Sequence, residues 1–152
     1  MKEIGLYIHI PFCKQKCYYC DFCSYANKLN MQEKYINSII KEIKNIKDKG
    51  KYLIKTIYIG GGTPSIVDSD KIAKIIFEIK NDFKLSKEVE ITIEANPGTV
   101  TEEKIEKYIE CGINRLSIGL QSANDSILKE IGRIHSYMEF ERAYELARKK
   151  RF

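Results

Sequence analysis

The sequence predicts an α/β fold made of about four β/α units of a parallel barrel that is incomplete within this chain. Apolar residues switch repeatedly between the period of 2 that is typical of strands and the period of 3.6 that is typical of helices. No hairpin signal such as Asn-Gly separates the strand-like segments, so we expect parallel strands with right-handed crossovers. The predicted strands are Ile4–Ile10, Ile54–Gly60, Val89–Ala95 and Arg115–Leu120.

Amphipathic helices are predicted between these strands. The first runs from Met31 to about Lys49, and the second begins near Asp68. The third ends at Gly112, and a short fourth ends at Gly132, since glycine favours the position after a helix. A last helix opens with Ser136-x-x-Glu139, which is the pattern of a capping box.

The strands alternate apolar and polar side chains, which is unusual for a parallel sheet covered on both faces. In the first strand Leu6, Ile8 and Ile10 alternate with Tyr7 and His9. The third and fourth strands repeat the pattern, with Glu90, Thr92, Glu94, Ser117, Gly119 and Gln121 at the polar positions. This parity predicts an apolar outer face under helices and a polar inner face around a ligand. The alternative is an open sheet with one solvent-exposed face.

Four β/α units cannot close a barrel and would leave unpaired strand edges. We therefore expect residues 1–152 to be the N-terminal part of a longer domain, with the later strands and any C-terminal domain outside this sequence. On this expectation the chain alone is not a competent enzyme.

Composition narrows the function classes. The chain is 43% hydrophobic and 31% charged, with a net charge of +5. Its lysines are spread along predicted helix faces, which does not favour nucleic-acid binding. No stretch approaches about 18 consecutive apolar residues, and no signal-peptide pattern opens the chain. We expect a cytoplasmic protein without a membrane span.

Four of the five cysteines lie close together, at Cys13, Cys17, Cys20 and Cys23. Cys13-x3-Cys17-x2-Cys20 follows the first strand, at the end where β/α barrels carry their functional loops. Three thiolates can hold three irons of a cubane cluster and leave the fourth iron open for a ligand of methionine type. The alternative is a zinc knuckle that uses all four cysteines. Cys111 stands apart and is predicted to be a structural thiol.

Polar and glycine residues follow the other strands. Gly60-Gly61-Gly62-Thr63-Pro64 ends strand two, where glycines permit close approach of the backbone to a ligand. Read alone, this run is equally a bare strand-to-helix turn. Glu94 and Gln121 occupy strand positions whose side chains are predicted to face inward, like that of Tyr7. The carboxylate suits contacts to hydroxyl groups, and the amide suits the polar edge of a ligand. Arg133 is either a partner for a carboxylate or an ordinary surface arginine.

The ordered motifs resemble one known family. They are Tyr7-Ile8-His9-Ile10-Pro11-Phe12-Cys13, then Cys17, Tyr19, Cys20, Asp21 and Phe22, then Gly60-Gly61-Gly62-Thr63-Pro64, Glu94-Ala95-Asn96-Pro97, Asn114 to Ser122, and Gly132-Arg133-Ile134-His135. The chain is similar, over essentially its whole length, to oxygen-independent coproporphyrinogen III oxidases and their haem-chaperone relatives. These belong to the radical S-adenosylmethionine (SAM) superfamily.

The resemblance implies a role for each matching residue. Cys13, Cys17 and Cys20 would ligate a [4Fe–4S] cluster. His9, beside the cluster loop, would hydrogen-bond there or donate a proton; taken alone it is equally a satisfied core histidine. The residues implied to contact SAM are Tyr7, Tyr19, Gly61, Gly62, Thr63, Glu94, Gln121 and Arg133.

Two features resemble the haem-chaperone branch more than the oxidase branch. The first cysteine comes early, at position 13, and Asp21-Phe22 follows Cys20 where the oxidase has a Cys-Gly-Cys run. Cys23 does not match the oxidase's fourth cysteine and is predicted to be a spare thiol. The favoured function is a haem chaperone with haem as cargo. The alternative is oxidative decarboxylation of porphyrinogen propionates, and a flavodoxin or ferredoxin is the implied electron donor.

Overall fold

The computed structural model describes all 152 residues and contains one sheet of four parallel strands in the order β1-β2-β3-β4. The strands are β1 (Lys2–Ile10), β2 (Tyr52–Gly61), β3 (Lys84–Ala95) and β4 (Arg115–Ile118). All four predicted strands and their parallel pairing are therefore confirmed.

Strand β4 is shorter than predicted, because it ends at Ile118 rather than Leu120. The chain turns away there, although the Gly119 amide still donates to the Ala95 carbonyl at 3.0 Å. Gln121 follows in the left-handed region with φ of 69°. The prediction that Gln121 lies at the end of a strand is thus wrong, since it lies in the loop after β4.

Five α-helices connect and follow the strands. They are α1 (Gln32–Asn45), α2 (Ser69–Asp82), α3 (Glu102–Cys111), α4 (Asp125–Glu130) and α5 (Tyr137–Lys149). Helix α1 ends before the predicted Lys49, since Ile46 is already extended and a short 3-10 turn occupies Lys49–Lys51. Gly112 follows α3 with φ of 95°, and the capping box of Ser136 and Glu139 is present, as predicted.

The predicted alternation of apolar and polar side chains along the strands is confirmed by their burial. Ile8, Ile10, Ile57, Ile59, Ile91 and Ile93 are buried in one core with the isoleucines of α1 and α2. On the opposite face Tyr7 is 56% exposed and Glu90 is exposed. Thr92 is the exception, at 1% exposed, because Arg115 covers it and donates to its hydroxyl at 3.2 Å. The sheet thus has one apolar face and one largely polar face.

No helix in the chain has the length and apolar character needed to cross a lipid bilayer.

Candidate functional site

The loops after all four strands meet around one cavity of about 310 Å³ at the carboxyl end of the sheet. This convergence follows from parallel pairing, which places the ends of the strands along one edge. The residues that line the cavity include Cys13, Cys17, Tyr19, Cys20, Gly61, Gly62, Thr63, Glu94, Asn96, Ser117, Gly119, Gln121, Gly132 and Arg133. Ten of the twelve residues singled out from the sequence are therefore brought together here.

Three of the four clustered cysteines line this cavity, and Cys23 does not. Cys13 is 7% exposed, and its sulfur accepts a hydrogen bond from the Thr63 hydroxyl at 3.7 Å. The exposed Cys23 instead places its sulfur 3.7 Å from the Tyr25 hydroxyl. The zinc-knuckle alternative requires the fourth thiol at the same point, whereas this thiol lies away from the cavity. No three His, Cys, Asp or Glu side chains in the chain are arranged to hold a single metal ion.

The glycine loop packs directly against the cysteine loop. The Gly62 amide donates to the Ile10 carbonyl at 2.8 Å, and the Thr63 amide donates to the Phe12 carbonyl at 2.7 Å. A Cβ atom on Gly62 would lie 2.7 Å from the Phe12 oxygen and 2.9 Å from the Cys13 sulfur. Gly61 has a backbone φ of 122°, a value that residues with a side chain rarely adopt. The glycines are therefore required for close contact between the two loops, and this is more than a bare turn.

The carboxylate of Glu94 is held by two donors. The Tyr58 hydroxyl donates to Oε1 at 2.7 Å, and the Gly61 amide donates to Oε2 at 3.1 Å. Burial raises the pKa of Tyr58 above its usual value of 10, and the bond to Glu94 raises that pKa further. Sequence reasoning missed Tyr58, although its polar-face position between Ile57 and Ile59 was a usable signal.

Arg133 reaches from the segment after α4 into the cavity. Its Nη2 donates to the Gly119 carbonyl at 2.7 Å, and its Nη1 donates to the Cys17 sulfur at 3.6 Å. The buried Nε has no partner within the protein. The surface-arginine alternative is therefore wrong, since this guanidinium is partly buried with one donor unused.

Tyr19 lies beside Arg133 and Cys17 on the cavity wall. Burial raises the pKa of its hydroxyl, and the nearby positive charge of Arg133 partly opposes that rise. The phenol therefore stays protonated at neutral pH and is available as a hydrogen-bond donor.

Tyr7 and His9 lie outside the cavity lining. The His9 Nε2 is 2.8 Å from the Cys23 carbonyl, and its Nδ1 is 3.1 Å from the Tyr7 hydroxyl. Because a carbonyl can only accept, Nε2 carries the proton and Nδ1 accepts from Tyr7. Both nitrogens are thus satisfied within the protein, which favours the interpretation of His9 as a hydrogen-bonded structural residue. Tyr7 also stacks on Tyr58, with ring centroids 6.1 Å apart.

The donor set of the cavity suits an iron–sulfur cluster with a polar organic ligand beside it. Three thiols face one space, and the glycine loop leaves backbone exposed to the same space. The negatively charged carboxylate of Glu94 can accept hydrogen bonds from hydroxyl groups. The positively charged guanidinium of Arg133 can bind a carboxylate through its unused Nε–H. The residues present therefore fit these two groups.

The fold and the cavity define a protein of the radical SAM class. Residues 7–152 match the Radical SAM superfamily, and the chain belongs to that superfamily. Membership implies a [4Fe–4S] cluster and SAM as cofactors.

Within the superfamily, the chain is 43% identical to the heme chaperone HemW of Haemophilus influenzae and 42% identical to that of Escherichia coli K12. Each match covers 97% of this chain, and the chain spans about 40% of the length of these relatives. Among solved structures, coproporphyrinogen III oxidase (HemN) from Escherichia coli superposes with a TM-score of 0.86 at 24% identity. That match covers 96% of this chain and 34% of the oxidase chain, and it confirms the fold.

Proposed function

We propose that this chain is the cofactor-binding part of a haem chaperone that acts in haem and porphyrin metabolism in the cytoplasm. The observation that carries the proposal is the convergence of Cys13, Cys17 and Cys20 with the glycine loop and Glu94 around one cavity. The relatives named heme chaperone, at 42–43% identity, support haem as the cargo. Because those relatives are longer, we place residues 1–152 in the N-terminal part of a radical SAM core domain.

In this proposal Cys13, Cys17 and Cys20 ligate the [4Fe–4S] cluster, and Cys23 is a spare thiol. When bound, the cluster supplies the electron that radical SAM chemistry requires, delivered by a donor such as flavodoxin or ferredoxin. Burial of Cys13 and the tight contact between the two loops exclude water from one side of this site.

The cavity side chains have separate roles toward SAM. Glu94, oriented by Tyr58 and Gly61, accepts hydrogen bonds from ribose hydroxyls. Arg133 offers its unused Nε to the carboxylate of the methionine moiety. Thr63, Tyr19 and Gln121 complete the polar wall. Tyr7 and His9 support this wall from outside, because Tyr7 stacks on Tyr58 and His9 binds the Cys23 carbonyl.

A second candidate function is oxidative decarboxylation of porphyrinogen propionates. The structural match to the Escherichia coli oxidase over 96% of this chain favours it. The residues after Cys20 oppose it, since Asp21-Phe22 stands where the resemblance to the oxidase branch requires Gly and Cys.

Anaerobic reconstitution of the protein tests the cofactor part of the proposal. We expect about four irons and four sulfides per chain, which is the composition of a [4Fe–4S] cluster. Cys13→Ala, Cys17→Ala and Cys20→Ala should each lose the cluster, while Cys23→Ala and Cys111→Ala should keep it. Zinc in place of iron, or a cluster that depends on Cys23 and not on Cys13, would contradict the assignment.

Haem titration and porphyrinogen turnover separate the two candidate functions. The full-length protein should bind haem stoichiometrically and release no carbon dioxide from coproporphyrinogen in the presence of SAM and reductant. Turnover of the porphyrinogen without haem binding would establish the oxidase function instead.

A further inference from the structure

The guanidinium of Arg133 connects the end of the sheet to one cysteine of the cluster loop. Residues Cys17 and Arg133 are 116 positions apart in the sequence, and Nη1 lies 3.6 Å from the Cys17 sulfur. The other end of the guanidinium is fixed by the 2.7 Å bond from Nη2 to the Gly119 carbonyl. Gly119 is itself bonded to Ala95 at the end of β3. The guanidinium is therefore bonded both to the end of the sheet, at Gly119, and to the cysteine loop, at Cys17.

The cavity cysteines differ in the hydrogen bonds that they receive. The Cys13 sulfur accepts from a neutral hydroxyl, that of Thr63, whereas the Cys17 sulfur accepts from a cation. A charged donor forms a stronger hydrogen bond than a neutral one, and burial strengthens it further. Cys17 thus receives a hydrogen bond from a charged donor, whereas Cys13 receives one from a neutral hydroxyl.

We propose that Arg133 is a positioning residue that raises the reduction potential of the cluster through its contact with Cys17. The inference rests on the proposed function, since it requires Cys17 to be a cluster ligand. Reduction adds negative charge to the cluster and its thiolates. Hydrogen bonds and positive charge at the sulfurs stabilise the reduced form and shift the potential upward. This role is separate from any contact between Arg133 and SAM.

The test is an electron-paramagnetic-resonance redox titration of the reconstituted protein without SAM. Arg133→Met should shift the midpoint potential to a more negative value than that of the wild type. Arg133→Lys keeps a cation but cannot bond Gly119 and Cys17 at once, so an intermediate shift is expected. Arg115→Met is the matched control, because it removes one positive charge from an exposed ion pair with Glu90.

Equal potentials in the wild type and Arg133→Met, each with a full cluster, overturn the inference and leave the proposed function intact. An equal shift in Arg115→Met also overturns it, since the effect would then be one of net charge. If Arg133→Met does not take up iron, the midpoint potential of Arg133→Lys is the deciding measurement. A potential equal to that of the wild type in Arg133→Lys overturns the inference. A wild-type protein that binds no cluster overturns both this inference and the proposed function.

Discussion

The hydroxyl of Tyr58 donates a 2.7 Å hydrogen bond to Glu94 Oε1 across the polar face between β2 and β3. The Gly61 amide holds the other carboxylate oxygen, so the orientation of Glu94 depends on strand β2 at two points. A side chain fixed in this way loses little conformational entropy when a ligand binds.

Tyr58→Phe should weaken SAM binding about two- to thirteenfold, because one hydrogen bond contributes about 0.5–1.5 kcal/mol. Isothermal titration of SAM into the reconstituted protein measures the effect. Tyr52→Phe, at the opposite end of the same strand, is the control and should leave the affinity unchanged. Equal affinities in the two variants would show that Tyr58 does not orient Glu94 for the ligand.

Glu94→Gln and Gln121→Ala should weaken SAM binding without removing iron, since neither residue is a cluster ligand in the proposal. The expected loss is about 0.5–1.5 kcal/mol, and larger for the charged Glu94. Iron content and SAM affinity are measured on the same samples, with Glu90→Gln on the exposed part of the same face as control. Unchanged affinity in both cavity variants would refute binding of SAM in this cavity.

Gly62→Ala should reduce iron uptake and destabilise the fold by about 1–3 kcal/mol, because the added methyl group overlaps the Phe12 carbonyl and the Cys13 sulfur. Gly50→Ala is the matched control, since nothing lies within 4 Å of a Cβ atom there. Urea denaturation and iron analysis measure the two effects. The same iron content in both variants would mean that the cysteine loop can move away from the glycine loop.

Ser65→Ala should lower the free energy of unfolding by about 1–3 kcal/mol, because it leaves buried groups without partners. The Ser65 side chain is buried, accepts from the Asn96 amide at 3.1 Å and pairs with the Thr99 hydroxyl. These bonds join the loop after β2 to the loop after β3. Ser38→Ala on the exposed surface of α1 is the control in urea denaturation, and an equal loss there would refute the importance of the buried network.

Stability should fall as the pH decreases through the ordinary histidine range, because of His135. Its Nε2 bonds the Leu120 carbonyl and its buried Nδ1 has no partner. Burial, followed by the nearby charge of Arg133, lowers the pKa of His135 below 6.5. The unfolded chain therefore binds the proton first, so this contribution is complete above pH 6.5 and is lost as the pH falls toward the folded pKa.

Urea denaturation between pH 8 and about pH 5 measures this dependence, since unfolded histidine titrates near 6.5. His135→Gln should show a weaker decline of the unfolding free energy than the wild type. The chain has one other histidine, and His9→Gln serves as the control. A wild-type slope in His135→Gln would exclude His135 as the cause.

Local pattern in the sequence was enough to predict the four strands, their parallel direction, the capping box at Ser136 and the three-cysteine motif. Periodicity and capping depend on neighbouring residues, and strand ends meet at one edge of any parallel sheet. Most of the candidate site could therefore be predicted from the amino-acid sequence by itself.

Tertiary packing alone decided how those residues face one another. The bond from Arg133 to Cys17, the two bonds that satisfy His9 and the left-handed turn that places Gln121 depend on distant contacts. So does the separation of Cys23 from the other three thiols. Hydrogen bonds require distance and angle at the level of single atoms, and only the packed chain defines those quantities for residues as far apart as Cys17 and Arg133.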